Sequence, residues 1–361
     1  VAADNESALE PDQLPGVPHP REQFALFGHH EAEQAFLDAR RAGRLHHAWL
    51  IGGPEGIGKA TLAYRVARFL LADRAAAATA PDSLAITPEH PVARQVAALS
   101  HPNLAVLRRA PASERKAASA TIPVEAVRRA VSLFGSTAAD GGYRVCIVDS
   151  AEDLTISSAN ALLKLVEEPP PRSAFLIVSH APQRVLPTIR SRCRRLQLRP
   201  LADGDLRAVI GSLGASWAAT DAQLLDRAIA AADGSVRRAI AMLDESNQAL
   251  VAEVKAMLEA LPRVDEKRVL ALAESLARRD AEAAYALVLE TLSGWVSQQL
   301  NDKAPLGAAR LAPLVEVCEK VARAAQDADI YNLDRRPLVL ATFGDLADAV
   351  RGLRAPEQSL A

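Results

Sequence analysis

Apolar positions along this chain follow two regimes. Between residues 46 and 199 short uninterrupted apolar runs alternate with stretches of helical spacing, whereas beyond Pro200 only helical spacing remains. The run His46-His47-Ala48-Trp49-Leu50-Ile51 has the length and apolarity of a buried strand, and so do 143–149 and 174–179. Helices are expected over 31–41, 62–71, 124–134 and 155–168, the last opening on an N-cap at Thr155 or Ser157 and stopped by Pro169-Pro170-Pro171. This alternation predicts a doubly wound parallel α/β core over 23–199. Beyond it, 203–213, 221–232 and 235–244 predict a three-helix lid over 200–247. Amphipathic stretches at 266–278, 281–299 and 308–326, with breaks near Pro262, Pro305 and Pro337, predict an all-α domain over 248–353. Within it Leu292, Trp295, Leu340 and Phe343 are candidates for the core first and for an interface second. Residues 1–22, rich in Pro, Glu, Asp and Ala without periodicity, predict a flexible tail with order beginning near Phe24, and 354–361 a second tail. Residues 74–122 read as surface loop around one helix near 92–100.

Composition narrows the class without choosing a function. The 361 residues are 49% hydrophobic and 24% charged, ordinary for a soluble chain of two or three domains. No apolar run approaches a membrane span and no N-terminal stretch resembles a signal peptide, so a cytoplasmic location is expected. A net charge of −2 excludes coating of nucleic acid by bulk charge. Cys146, Cys193 and Cys318 are far apart without C-x-x-C spacing and read as buried thiols. Charge is uneven: Arg184, Arg190, Arg192, Arg194, Arg195 and Arg199 follow one another without an acidic residue. Such a run is either a solvated basic face or a phosphate-facing cluster.

The chemistry concentrates after the first predicted strand, in Gly52-Gly53-Pro54-Glu55-Gly56-Ile57-Gly58-Lys59-Ala60-Thr61. A strand, a loop of this spacing and a helix form a phosphate-binding loop, whose glycines turn backbone N–H groups toward phosphate oxygens while the lysine reaches the terminal phosphates. Gly53, Gly56, Gly58 and Lys59 supply the cradle, but Ala60 stands where a hydroxyl would hold Mg²⁺. Thr61 points about 100° further round the helix and does not simply replace it. Asp149 ends the strand at 143–149 and has two readings, a carboxylate facing the phosphate loop or a cap on the segment that follows. Glu152, three positions on, lies too far along to take the next place without rearrangement.

Three further motifs, Ala159-Asn160-Ala161-Leu162-Leu163-Lys164, Glu167-Glu168-Pro169-Pro170 and Ile189-Arg190-Ser191-Arg192-Cys193, occur in an order that resembles bacterial clamp-loader subunits of the AAA+ class over roughly 25–245. The resemblance implies an AAA+ P-loop core, a helical lid and a helical collar that holds a ring of subunits together. It implies that Arg192 is an arginine finger given in trans to ATP on a neighbour. ATPases of the class place a glutamate after the strand-end aspartate, and this chain has Ser150. An intact finger beside a damaged phosphate loop resembles the loader subunit that has lost its own ATPase, a scaffold within the DNA-directed DNA polymerase holoenzyme. The implied partners are the gamma/tau and delta subunits, with the sliding clamp and primer-template DNA reached through the complex. No cofactor is then required, although residual ATP or ADP binding by Gly53, Gly56, Gly58, Lys59, Thr61, Asp149 and Arg237 stays open, the last through Gly234-Ser235-Val236-Arg237, which resembles a sensor 2 motif. Relatives often carry a four-cysteine zinc module after the phosphate-loop helix; 72–122 contains no cysteine, so no zinc is expected. An active AAA+ ATPase and a P-loop kinase are the alternatives. The first needs a metal ligand at position 60 and a carboxylate at 150, and the second an acceptor site that no motif supplies.

Overall fold

The computed structural model describes residues 10, 13–72, 82–110, 119, 121–135, 142–278, 281–331 and 333–354. It divides into two compact units, Val1–Ile240 and Ala241–Ala361.

The first unit is built on five parallel strands, β1 (Ala48–Gly52), β2 (Leu104–Leu107), β3 (Arg144–Asp149), β4 (Ser173–Ser179) and β5 (Arg194–Gln197), in the order β2-β3-β4-β1-β5. Successive side chains of a strand point to opposite faces, and here both faces are apolar. Trp49, Ile51, Val145, Ile147, Leu176 and Val178 share one buried cluster with Phe36 and Leu37 of α1 (His30–Arg41) and Leu62, Val66 and Leu70 of α2 (Lys59–Ala72). Leu50, Cys146, Val148, Phe175 and Ile177 share the other with Val127, Ala130 and Phe134 of α4 (Val124–Gly135) and Leu162, Leu165 and Val166 of α5 (Ile156–Glu167). Rings stack on each face, Phe36 on Trp49 at 3.9 Å between centroids and Phe134 on Phe175 at 5.0 Å. Each fully buried side chain of this size contributes about 1.5–3 kcal/mol, so the three inner strands form the rigid floor on which the loops at their C-terminal ends are held. Thr155 caps α5, its Oγ1 accepting from the Ser158 amide at 3.1 Å.

The edges differ from the sequence reading. β2 lies within the stretch read as loop, where α3 (Pro91–Ala97) was the expected helix, and β5 lies within the arginine run after the short α6 (Pro187–Arg190). Both have four residues and are only partly buried, so neither carries the apolar run that marks an inner strand. The remainder of 74–122 read as loop falls partly outside the described residues, as does most of the tail expected over 354–361.

The N-terminal segment also departs from expectation. Instead of order beginning near Phe24, residues 13–22 are placed against the core, with Pro20–Glu22 forming one 3₁₀ turn. Arg68 is 1% exposed, and its Nη1 and Nη2 donate to the carbonyls of Arg21 at 2.9 Å and Gln23 at 2.7 Å. Arg21 Nε donates to the Ala97 carbonyl at 2.7 Å, and Glu10 pairs with both Arg21 and Arg108. A buried guanidinium needs acceptors, and these anchors lie far apart in sequence, which is why local composition missed them.

After β5 the first unit continues through α7 (Asp203–Ser212), the one-turn α8 (Ala215–Ala218), α9 (Ala222–Ala231) and α10 (Val236–Ala241), around a small core of Leu201, Leu206, Ile210, Ile229 and Ala239. The second unit holds α11 (Glu245–Glu259), α12 (Glu266–Leu276), α13 (Glu282–Asp302), α14 (Ala308–Tyr331) and α15 (Arg336–Arg354). Leu292 and Phe343 belong to its core with Trp295 packed against it, while Leu340 is exposed. Among the described residues no helix is long and apolar enough to cross a membrane.

Candidate functional site

The loop from Gly52 to Lys59 leaves the C-terminal end of β1 and turns into α2. Gly53, Gly56 and Gly58 have φ of 147°, 74° and 98°, conformations that L side chains rarely adopt. At Gly56 space is decisive as well: a Cβ would stand 2.3 Å from Ser235 Oγ and 2.6 Å from Arg237 Cβ. Lys59 is 3% exposed. Its Nζ donates to the carbonyls of Gly53, at 2.7 Å, and Pro54. Burial pulls the ammonium down to about 8 from an ordinary 10.5, against the opposing pull of Glu55, Glu152 and Asp149. The loop therefore folds its own cation back onto its own backbone. His29, at the entry to α1, holds the loop from behind, its Nε2 donating to the Ile57 carbonyl at 2.6 Å.

Asp149 ends β3 on the cavity wall beside this loop. Glu152 is turned elsewhere. Its carboxylate accepts from Ser150 Oγ at 3.0 Å, from Ser179 Oγ and from the Ala181 amide, tying the tips of β3 and β4 together. Burial alone would raise its pKa; the Ser179 and Ala181 bonds outweigh this and hold it below the ordinary carboxylate value. A carboxylate so bound is a structural latch, not a base waiting for water. Ala60 offers no oxygen at the position where a metal-binding hydroxyl would stand. The residues present suit phosphate oxygens and do not suit a divalent ion held in the manner of a working P-loop.

The lid and the N-terminal segment close the space above the loop. The Val236 amide donates to the Gly56 carbonyl at 2.9 Å, and Arg237 Nη1 lies 3.4 Å from Glu55 Oε1. Trp217 Nε1 donates to the Gly16 carbonyl at 3.1 Å. Between them a cavity of about 180 Å³ is lined by Leu14, Val17 and Pro18 from the N-terminal segment, residues 55–61 of the loop and helix, Asp149, and Leu201, Leu213, Val236, Arg237 and Ile240. Gly56, Gly58, Lys59, Thr61, Asp149 and Arg237 thus meet in one place, with Gly53 behind them as an acceptor for Lys59. Sequence reasoning missed His29, the donors that hold Glu152 and the N-terminal segment. The pair His29-His30 at a helix start was a faint signal for the first; the others act through contacts that no local pattern encodes.

Arg192 stands apart from this cluster. Trp49 pairs with Arg194 and Gly52 with Gln197, so β5 starts at the level where β1 starts, three residues or roughly 10 Å from the end that bears the phosphate loop. Arg192 precedes that start. Its side chain is 40% exposed, with Nη2 2.8 Å from Glu167 Oε1. Nη1 donates to the Thr188 carbonyl at 2.9 Å. Glu167 closes α5, whose end is tied to the start of β1 by His47 Nε2 donating to the Val166 carbonyl at 2.9 Å. Cys193 packs inward, its thiol pushed up to about 12 by burial. Arg194 is exposed and lies over the Trp49 ring at 4.7 Å, and Arg195 is exposed beside it.

A parallel sheet covered on both faces, a glycine loop at the end of β1 and a helical group docked over that loop define an α/β protein of the P-loop class, with a further helical unit after it. Residues 28–202 match the family described as DNA polymerase III, delta subunit. The chain is 42% identical over 147 residues to the DNA polymerase III delta-prime subunit of Pseudomonas aeruginosa, covering 41% of each chain. It is 36% identical over 160 residues to the delta-prime subunit of Escherichia coli, covering 44% of each. Against the tau subunit of Escherichia coli the identity is 29% over 271 residues, 73% of this chain and 39% of that one. The chain thus spans about two-fifths of the length of the curated relatives it matches. Among solved structures, the RuvB branch migration motor of Thermotoga maritima aligns at 18% identity with a TM-score of 0.37, over 73% of this chain and 75% of that one.

Proposed function

We propose that this chain is a clamp-loader subunit of the delta-prime type, a scaffold that does not hydrolyse ATP itself and donates Arg192 to ATP held by a neighbouring subunit. The observation that carries this reading is the opposition of the two ends of the sheet. An exposed arginine at the strand-start end is out of reach of the phosphate loop at the strand-finish end of its own chain, which supports a role toward a site on another molecule. A guanidinium fits the charge that spreads over a transferring phosphoryl group. The chain's own cradle lacks the parts for hydrolysis, since position 60 is Ala, position 150 is Ser, and Glu152 is held by three donors.

On this reading the partners are gamma/tau and delta subunits, with the sliding clamp and primer-template DNA engaged through the assembly in replication. ATP bound across subunit boundaries orders the ring, and hydrolysis releases it. The division of labour is a core at 23–199, a lid at 200–247 and a collar at 248–353. No cofactor is needed for the scaffold role and no zinc is involved. Residual ATP or ADP at Gly53, Gly56, Gly58, Lys59, Thr61, Asp149 and Arg237 is supported by the apolar cavity beside the cradle. The test is an ATPase assay on the isolated chain. Hydrolysis no faster than a blank, unchanged by Lys59→Ala, is expected; turnover near the roughly 10 s⁻¹ enzyme median, abolished by Lys59→Ala, would favour the active ATPase instead.

A further inference from the structure

Arg192 does not hang free in solvent. Glu167 Oε1 lies 2.8 Å from its Nη2, and its Nη1 donates to the Thr188 carbonyl at 2.9 Å with Ser191 Oγ 3.4 Å away. Three acceptors from two elements therefore hold one exposed guanidinium, and one of them carries a full negative charge. Glu167 itself ends α5, on a helix whose last turn is anchored to the start of β1 through Val166 and His47. The backbone that carries its carboxylate is thus anchored to the sheet, while Arg192 sits on the turn between α6 and β5.

We infer that Glu167 is a positioning residue that occupies Arg192 as a stand-in for phosphate, holding the guanidinium in place until oxygens of a nucleoside triphosphate on a neighbouring subunit displace the carboxylate. The inference rests on the finger reading of Arg192. Carboxylate and phosphate present the same kind of acceptor to a guanidinium, so one geometry serves both. Glu167 is 39% exposed, and an ion pair this open is weak enough to exchange readily. The Thr188 carbonyl is neutral and does not repel the incoming phosphates, so it can keep its bond to Nη1 through the exchange. Glu167 must yield, because two anions compete for one cation and repel each other.

A direction follows. Removing the charge at Glu167 takes away both the competitor and the repulsion, so the neighbour's triphosphate should engage Arg192 at lower concentration. The experiment is clamp loading as a function of ATP concentration in the complex reconstituted with gamma/tau and delta subunits, comparing wild type, Glu167→Gln, Arg192→Ala and the double variant. Glu167→Gln is expected to lower the half-maximal ATP concentration by about two- to fivefold, the range set by an exposed ion pair, and to have no effect in the Arg192→Ala background. Loss of a merely structural contact would raise that concentration or leave it unmoved. An unchanged or raised value for Glu167→Gln, in a complex where Arg192→Ala is impaired, overturns the stand-in role alone. A lowered value that persists without Arg192 also overturns it, since Glu167 would then act by another route. If Arg192→Ala loads like wild type, the finger reading fails and the stand-in role with it.

Discussion

Lys59 is the residue whose environment gives the sharpest number. It is 3% exposed, its ammonium meets two backbone carbonyls, and burial holds its pKa near 8 against an ordinary 10.5. In the unfolded chain the lysine keeps its proton up to pH 10.5, whereas in the folded chain it releases it above about pH 8. Between these values the unfolded state binds more protons, so the stability of the folded state rises with pH. Below about 8 both states are protonated and the full cost of the buried charge is present; above 10.5 both are neutral and the cost is gone. At 1.36 kcal/mol per pH unit the whole interval is worth about 3 kcal/mol. Lys59→Met keeps most of the side-chain volume and removes the charge. Losing the bonds to Gly53 and Pro54 adds an offset that varies little with pH, so the test lies in the slope. Urea unfolding can be followed by tryptophan fluorescence in a Trp295→Phe background, where Trp49 and Trp217 both report on the first unit. The stability of wild type minus that of Lys59→Met should be flat up to about pH 8 and then move in favour of wild type by about 1.4 kcal/mol per pH unit. A difference that stays flat to pH 10, or moves the other way, would refute a net cost of burying this cation.

Gly56→Ala should push α10 off the phosphate loop, since the added Cβ meets Ser235 Oγ at 2.3 Å and the backbone φ is 74°. A loss of about 3 kcal/mol should appear as roughly hundredfold faster hydrogen exchange at the Val236 amide, and unchanged protection would contradict the docking. Glu10 is buried enough to raise its pKa, but hydrogen bonds from Arg21 and Arg108 outweigh this and lower it to about 2. Its contribution to holding the N-terminal segment is present above the ordinary 4.5 and is lost as pH falls from there toward 2. Glu10→Gln should therefore expose the Trp217 indole N–H to solvent exchange at pH 7, while wild type does so only in that acid window. An indole equally protected in both chains at pH 7 would show that Glu10 does not anchor the segment.

How far the sequence could be read depended on where each signal is encoded. Strands with both faces buried, such as β3 and β4, announce themselves because every residue must be apolar, and their flanking helices carry a 3.6-residue stripe. The edge strands did not. In β5, Arg194, Arg195 and Gln197 face solvent, so the same residues that suggested a basic surface also form a strand. The phosphate loop was visible because its chemistry is contiguous, and Arg237 because its motif is. The N-terminal segment was invisible because its order depends on Arg68 and Arg108, dozens of residues away. The spacing of Glu152 from Asp149 is readable along the chain, but two of its three donors come from β4 and the residues after it, which local spacing does not encode. The placement of Arg192 opposite its own cradle required strand order, which no local pattern contains.

The most direct measurement is clamp loading by the complex reconstituted with Arg192→Ala, its intact assembly verified by gel filtration. Arginine fingers are worth on the order of 10³–10⁵ in rate at the site they serve. One site in the ring would lose its finger, so loading should fall sharply without necessarily vanishing. Arg194→Ala, which loses only a contact with the Trp49 ring, and Arg195→Ala should have much milder effects. Equal loading by wild type and Arg192→Ala would contradict the catalytic role of this residue and leave the chain a structural member of its assembly.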